Sequence, residues 1–258
     1  MAQKKVTVKK VRKATGKSKA VAPKAIKPRK IGVRLKELPV ETKKPISTTG
    51  GKYFYYFGGG KADGSGTMKD ILGGKGAGLA EMINLGIPVP PGFTISTEVC
   101  RIYYDNKLSL PKSFDREMKL VVERLEKAIG ARFGDAKDPL LVSVRSGAKF
   151  SMPGMMDTIL NLGLNEETLK GIIAKTDNPR FAYDNYRRFV SMFGNVVLGI
   201  DKDQFEEIIT KKKKQRSIKH DASLSIDDMK DIVKQFQKLI AAKSGEPFPT
   251  DPWVQLQM

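Results

Sequence analysis

Residues 73–76 read Gly-Gly-Lys-Gly and stand immediately before a segment whose apolar spacing predicts a helix over 77–85. Glycines let backbone amides approach an anion closely, a helix start carries partial positive charge, and Lys75 adds a mobile point charge. Gly74, Lys75 and Gly76 are therefore candidate phosphate contacts. The spacing matches neither a P-loop nor a dinucleotide-binding fingerprint, so the alternative is a tightly packed glycine turn with a solvated lysine.

A second basic residue, Arg145, ends the apolar run "PLLVSVR", which has the character of a buried strand. An arginine at a strand terminus can hold a phosphate through two parallel hydrogen bonds. Gly147, Ser151 and Gly154 follow in a segment that can form a loop lying close to a ligand. The alternative is a plain hairpin in which Arg145 makes a surface ion pair.

Other segments predict the elements that must position these residues. An aromatic run at 52–60 favours a strand followed by a turn, and the run after Asp157 favours a second strand. Four further helices are predicted: one capped by Thr97 that runs through Tyr104, one capped by Ser113 and ended by Gly130, one that starts at Pro179, and one capped by Ser225 and ended by Gly245. In the second of these, the expected core residues are Phe114, Met118, Val121, Val122, Leu125 and Ile129.

The positive charge of the chain is concentrated at its start. Residues 1–45 contain 16 Lys or Arg and two acids, a net charge of +14 out of +19 for the whole chain. This segment has no aromatic residue and no sustained apolar period, so it cannot bury enough surface to offset its ordering entropy, and we predict a disordered tail. Such a tail can adhere to nucleic acid or to another acidic surface through its charge, or it can be a solvated leader.

Three further features do not point to a catalytic or binding site. His220 lies in the polar stretch "SIKHDASLS", which indicates a solvated loop, and the run "KKKKQR" at 211–216 indicates a charged helix end. The single cysteine, Cys100, excludes an internal disulfide framework and suits a reducing compartment. No apolar run approaches the length of a membrane span, so we expect a soluble, cytoplasmic protein without membrane contact.

Three long motifs resemble one enzyme family. They are "GGKGAGLAEMINLGIPVPPGFTIST", "DPLLVSVRSGAKFSMPGMMDTILNLGL" and "NPRFAYDNYRRFVSMFGNVVLG". Together they closely resemble the N-terminal nucleotide-binding part of pyruvate, phosphate dikinase, over a region from about residue 52 to 258. Related phosphoenolpyruvate synthases share the Gly-Gly-Lys-Gly and Val-Arg-Ser themes, but "SMPGMMDTILNLGL" is similar to the dikinase branch.

The resemblance implies an α+β fold with a partial ATP-grasp nucleotide-binding domain and an inserted helical block, preceded by the disordered basic tail. The implied division is a tail at 1–51, an N-terminal ATP-grasp subdomain at 52–164, and an incomplete, mainly helical block at 165–258. Lys75 and Arg145 match the family's triphosphate-contacting lysine and arginine, Arg145 as the catalytic residue. Gly74 and Gly76 flank Lys75, while Gly147, Ser151 and Gly154 fall in the family's glycine-rich phosphate loop; Asp157 lies in the same motif without an assigned metal role.

The family converts ATP, phosphate and pyruvate to AMP, pyrophosphate and phosphoenolpyruvate, with Mg²⁺ and a monovalent cation. The resemblance implies that the residues that hold Mg²⁺ lie beyond residue 258, as do the phosphohistidine and pyruvate-binding domains, which would be partners in the same or another chain. We therefore expect ATP to be the ligand and the isolated chain to be inactive. Family enzymes are usually homodimeric. The alternative function is a non-catalytic module whose tail, residues 1–45, binds nucleic acid or an acidic partner.

Overall fold

The described residues form an α+β fold of short strands and longer helices, as the sequence predicts. The structure, a computed structural model, describes residues 52–147 and 157–258. The predicted tail and the predicted loop residues Ser151 and Gly154 lie outside these ranges. The strands are β1 (Phe54–Gly58), β2 (Lys61–Ala62), β3 (Gly92–Ile95), β4 (Arg132–Phe133), β5 (Pro139–Leu140), β6 (Val142–Arg145) and β7 (Thr158–Leu162). The helices are α1 (Lys69–Asn84), α2 (Thr97–Asp105), α3 (Lys112–Ile129), α4 (Glu166–Thr176), α5 (Pro179–Val196), α6 (Lys202–Gln215), α7 (Ile226–Ser244) and α8 (Pro252–Gln257), with a short 3₁₀ turn at Asp221–Ser223.

The first sheet has the order β2-β1-β3 and is antiparallel throughout. Successive side chains of a strand point to opposite faces, and β1 uses this alternation to bury both of its faces. Phe54 and Tyr56 belong to the main hydrophobic core, where the Phe54 ring lies 4.9 Å from the ring of Phe114 on α3. Tyr55 packs instead against a smaller apolar cluster on α1. The sheet is therefore covered by α1 on one face and by α3 on the other.

Strands β6 and β7 form an antiparallel hairpin in which Arg145 pairs with Thr158. The prediction of one buried strand over "PLLVSVR" was wrong, because the run divides at Leu141 into β5 and β6, which lie in different sheets. Val144 is 38% exposed, and β6 pairs only with β7 within the described residues. The continuous apolar sequence reflects burial of Leu140 in the core, while the end of β6 reaches the surface.

The second half of the chain packs around α5. This helix contacts α4, α6, α7 and β7, and its residues Tyr186, Phe189 and Phe193 are almost completely buried. Residues from both halves, such as Phe114 and Phe236, belong to the same hydrophobic core. The proposed boundary between residues 164 and 165 stays a prediction.

Most predicted helix ends were confirmed. Pro179 is the first residue of α5, and Ser225 caps α7 through a reciprocal pair of bonds with Asp228. Gly130 and Gly245 end α3 and α7 in the left-handed conformation that glycine favours.

Two predicted caps and one predicted core residue were wrong. The N-cap of α2 is Ser96, because the Thr97 hydroxyl donates to the Asp70 carbonyl at 2.5 Å. The N-cap of α3 is Pro111, so Ser113 lies within the helix. Ile129 is 47% exposed at the end of α3, although the other five residues of its predicted apolar stripe are buried.

The helices of the described ranges include none that is long and apolar enough to cross a membrane.

Candidate functional site

Helix α1 is interrupted where the sequence predicts that a helix begins. Gly73 has φ 67° and ψ 173°, so a first turn ends there and a second helical segment starts with Gly74. A positive φ of this kind is strongly unfavourable for residues with a side chain, which accounts for the glycine. Lys75 therefore stands in the first turn of the longer segment, where the partial positive charge of a helix start is greatest.

The Lys75 side chain crosses from α1 to the β6–β7 hairpin. Its Nζ atom donates a hydrogen bond of 3.1 Å to the backbone carbonyl of Ser146, 71 positions further along the chain. Ser146 directly follows Arg145, the last residue of β6. The fold thus brings together the two basic residues that the sequence singled out, one from each predicted phosphate-binding segment.

Neither Lys75 nor Arg145 has an acidic partner among the described residues. Arg145 is exposed at the end of β6, and Lys75 is half-buried and bonded only to a neutral carbonyl within the same ranges. An ammonium group carries three donors, so two remain for another acceptor, and a guanidinium carries five. A lysine that reaches the residue after an exposed arginine, both with donors available, is suited to an anion such as a phosphate chain. The alternative, a surface ion pair at Arg145, finds no acidic partner among the described residues.

Gly76 has a packing role. A Cβ atom at this position would lie 2.7 Å from Thr94 Cγ2 and 2.9 Å from Thr94 Oγ1. The absence of a side chain therefore lets α1 approach β3 closely. This close packing holds the start of the helix against the first sheet and so fixes the backbone position from which the Lys75 side chain extends.

The end of the hairpin is closed by Ser146. Its backbone N–H and its hydroxyl both donate to the carbonyl oxygen of Asp157, at 3.2 and 3.1 Å. Gly147 is exposed, and a Cβ atom there would meet nothing within 4 Å among the described atoms. Because Ser151 and Gly154 lie outside the described residues, their predicted phosphate contacts stay predictions.

Ser146 was missed by reasoning from the sequence. Its neighbours Arg145 and Gly147 drew attention to the segment, but its contact with Lys75 joins positions that no local pattern relates. A serine at the end of a strand is in itself unremarkable in sequence.

The basic run "KKKKQR" at 211–216 is partly neutralised by acidic partners. Within "KKKKQR", Lys212 pairs with Asp231, Lys213 with Asp221 and Arg216 with Asp228. These pairs agree with the interpretation of the run as a charged helix end, and His220 is exposed in the linker that follows.

A buried arginine on α5 also differs from Lys75 and Arg145 in having acidic partners. Arg187 is only 4% exposed and lies 2.7 Å from Asp184 and 3.3 Å from Asp221. Burial alone would raise the pKa of Asp184, but the hydrogen bond and charge of Arg187, aided by Arg188, hold that pKa below its ordinary value. This cluster joins α5 to the segment between α6 and α7, and its charges are satisfied internally.

Within residues 52–147 and 157–258, no group of three or more His, Cys, Asp or Glu side chains is placed to hold a metal ion. Lys75 and Arg145 each suit a phosphate, whereas Mg²⁺ requires oxygen ligands.

Comparisons with known proteins agree with the resemblance seen in the motifs. The family model described as the AMP/ATP-binding domain of pyruvate phosphate dikinase matches residues 69–110, which include Lys75. Pyruvate, phosphate dikinase 1, chloroplastic, from Zea mays is 50% identical over 214 residues, which are 83% of this chain and 22% of that protein. The dikinase of Rhizobium meliloti (strain 1021) is 46% identical over 205 residues, or 80% of this chain and 23% of its own length.

The resemblance to pyruvate, phosphate dikinase is thereby confirmed: the chain is similar to the N-terminal region of these enzymes. It spans less than a quarter of the length of the curated relatives that it matches.

Proposed function

We propose that this chain is the ATP-binding N-terminal portion of a pyruvate, phosphate dikinase, with a partial ATP-grasp fold. One observation carries the proposal. The Lys75 ammonium reaches the residue that follows Arg145, and neither basic residue has an acidic partner among the described residues. Phosphoryl transfer depends mainly on positioning the phosphates and neutralising their charge, and both cations are suited to that task.

In the proposed complex, Lys75 and Arg145 contact the triphosphate of ATP. Lys75 contributes a point charge whose direction is set by the Ser146 carbonyl, and Arg145 contributes a planar group that can hold two oxygens at once. Gly74 places a backbone amide at the start of the helical segment beside them. Gly147, Ser151 and Gly154 are proposed as the loop that completes the phosphate contacts.

Enzymes of the dikinase family convert ATP, phosphate and pyruvate to AMP, pyrophosphate and phosphoenolpyruvate. We assign the carboxylates that hold Mg²⁺, the phosphohistidine domain and the pyruvate-binding domain to other parts of such an enzyme, in the same or another chain. The isolated chain is therefore expected to bind ATP without completing the reaction. Formation of AMP from ATP by this chain alone, dependent on pyruvate and phosphate, would contradict that expectation.

Calorimetric titration with ATP tests the site. We expect Lys75→Ala and Arg145→Ala each to weaken binding roughly ten- to hundred-fold, because each removes hydrogen bonds from a charged donor. Lys119→Ala and Arg116→Ala are matched controls, since both residues are exposed on α3, and they should leave the affinity unchanged. Unaltered ATP affinity in both site variants would rule out this assignment of the phosphate contacts.

A second candidate function rests on the charge of residues 1–45, which carry +14 of the net +19. A segment of this charge can bind nucleic acid through phosphate contacts without reading its sequence. In this alternative the folded part is a non-catalytic module that the tail attaches to nucleic acid or another acidic partner.

A further inference from the structure

Ser146 is the point at which three parts of the fold meet. Its carbonyl accepts from Lys75 on α1, and its N–H and hydroxyl donate to the carbonyl of Asp157, which immediately precedes β7. It also follows Arg145 directly, so its backbone continues from the end of β6. No other residue of the described ranges bonds to the Lys75 side chain.

This arrangement couples the positions of the two cations. The Arg145 backbone is held by its pairing with Thr158, and the two bonds from Ser146 to Asp157 extend that pairing beyond the end of the strand. The carbonyl that receives Lys75 belongs to the same residue. A shift of Ser146 would therefore move the Lys75 ammonium relative to the Arg145 guanidinium.

We propose that Ser146 is a positioning residue for phosphate binding. Its hydroxyl holds the end of the hairpin in place, and its carbonyl thereby directs Lys75 toward the phosphates that Arg145 binds. This inference rests on the proposed function and adds to it a residue that does not itself contact the ligand. Small displacements matter at such a site, because a bound phosphate must meet both cations at hydrogen-bonding distance.

The test compares ATP binding by the full chain and by three single variants. Ser146→Ala removes the hydroxyl and leaves both backbone contacts available, so we expect about five-fold weaker binding from the loss of one hydrogen bond. Ser146→Thr keeps a hydroxyl and should restore most of the affinity. Ser143→Ala is the matched control, because Ser143 is an exposed serine on the same strand, and it should bind ATP as the unaltered chain does.

A double-variant cycle separates positioning from general loosening of the fold. In a Lys75→Ala background there is no ammonium to direct, so Ser146→Ala should have little further effect on ATP affinity. A structural defect unrelated to Lys75 would instead weaken binding by the same factor in both backgrounds. Thermal unfolding of each variant, measured alongside, should show midpoints close to that of the unaltered chain.

The outcomes distinguish this inference from the function on which it rests. Absence of ATP binding by the unaltered chain would overturn the proposed function and the role of Ser146 with it. Normal ATP binding that is unaffected by Ser146→Ala, or equally affected with and without Lys75, would overturn only the positioning role. Weakening by Ser146→Ala that Ser146→Thr reverses, and that disappears in the Lys75→Ala background, would support it.

Discussion

Lys75 and Arg145 show which properties of a candidate site residue can be inferred from its type and which cannot. Glycine neighbours and a helix start identified Lys75, and a strand end identified Arg145, because these features are local. The contact of Lys75 with Ser146, the residue after Arg145, depends on how α1 packs against the first sheet and where the hairpin ends. That information is spread over distant residues, so residue types alone left a surface ion pair as an equal alternative at Arg145.

Asp228 provides a residue-scale prediction about stability and pH. Burial would raise the pKa of Asp228, but hydrogen bonds from Arg216 and Ser225 and the charge of Arg216 lower it below 3.8. A lowered pKa means that the ionised carboxylate stabilises the fold above the unfolded pKa and that this stabilisation is lost as the pH falls through the folded pKa. We expect Asp228→Asn to lower the free energy of unfolding at pH 7 by about 1–2 kcal/mol.

Urea unfolding at pH 7 and at a series of lower pH values measures this effect. The difference between the unaltered chain and Asp228→Asn should shrink as the pH falls through the lowered folded pKa of Asp228, because the carboxylate then becomes protonated. Asp227→Asn is the control, because Asp227 occupies the same first turn of α7 with its side chain 87% exposed. A loss of stability that is equal for the two variants would show that the helix dipole, and not the contacts of Asp228, is responsible.

At the scale of elements, substitutions at two glycines of α1 test whether close packing of this helix against β3 positions Lys75. Gly76→Ala should destabilise the fold by roughly 1–2 kcal/mol, because the new Cβ would press on Thr94 and the helix would have to move away from β3. Gly78→Ala should stabilise it by roughly 0.5–1 kcal/mol, since its Cβ would enter open space within a helix. Thermal unfolding of both variants measures these changes in stability. A more stable Gly76→Ala variant would contradict the first expectation and show that Thr94 can move aside at little cost.

The same pair of variants links packing to binding. If Gly76 acts by seating the helix, Gly76→Ala should also weaken ATP binding, because the origin of the Lys75 side chain moves with the helix. Gly78→Ala should leave it unchanged.

Elements with strong local signals were predicted well, and those decided by neighbours were not. Pro179, Ser225 and Gly245 mark helix ends through their own backbone preferences, so the start of α5 and both ends of α7 were predicted correctly. The cap of α2 was misplaced because the Thr97 hydroxyl bonds to Asp70 on another helix. The exposure of β6 was missed because an apolar run does not reveal how many strands flank it.

At the scale of the whole molecule, the two halves of the described chain form one hydrophobic core around α5. The helical residues that pack against β7 thereby support the hairpin that carries Arg145. Stability of the second half and geometry of the site are therefore connected. This agrees with the extent of the similarity to dikinases, which covers 83% of the chain and so is not confined to the 69–110 segment.

The charge distribution separates the two candidate functions at this scale. We expect the full chain to bind single-stranded RNA weakly, with an affinity that falls steeply as salt rises, because contacts of a basic segment with phosphates release counterions. Removal of residues 1–51 should abolish this binding and leave ATP affinity unchanged, since Lys75 and Arg145 both remain. Fluorescence anisotropy with an RNA oligonucleotide at several salt concentrations, paired with calorimetric titration of ATP, measures both. RNA binding that survives the deletion would place it on the folded part, and loss of ATP binding would mean that the basic segment contributes to the nucleotide site.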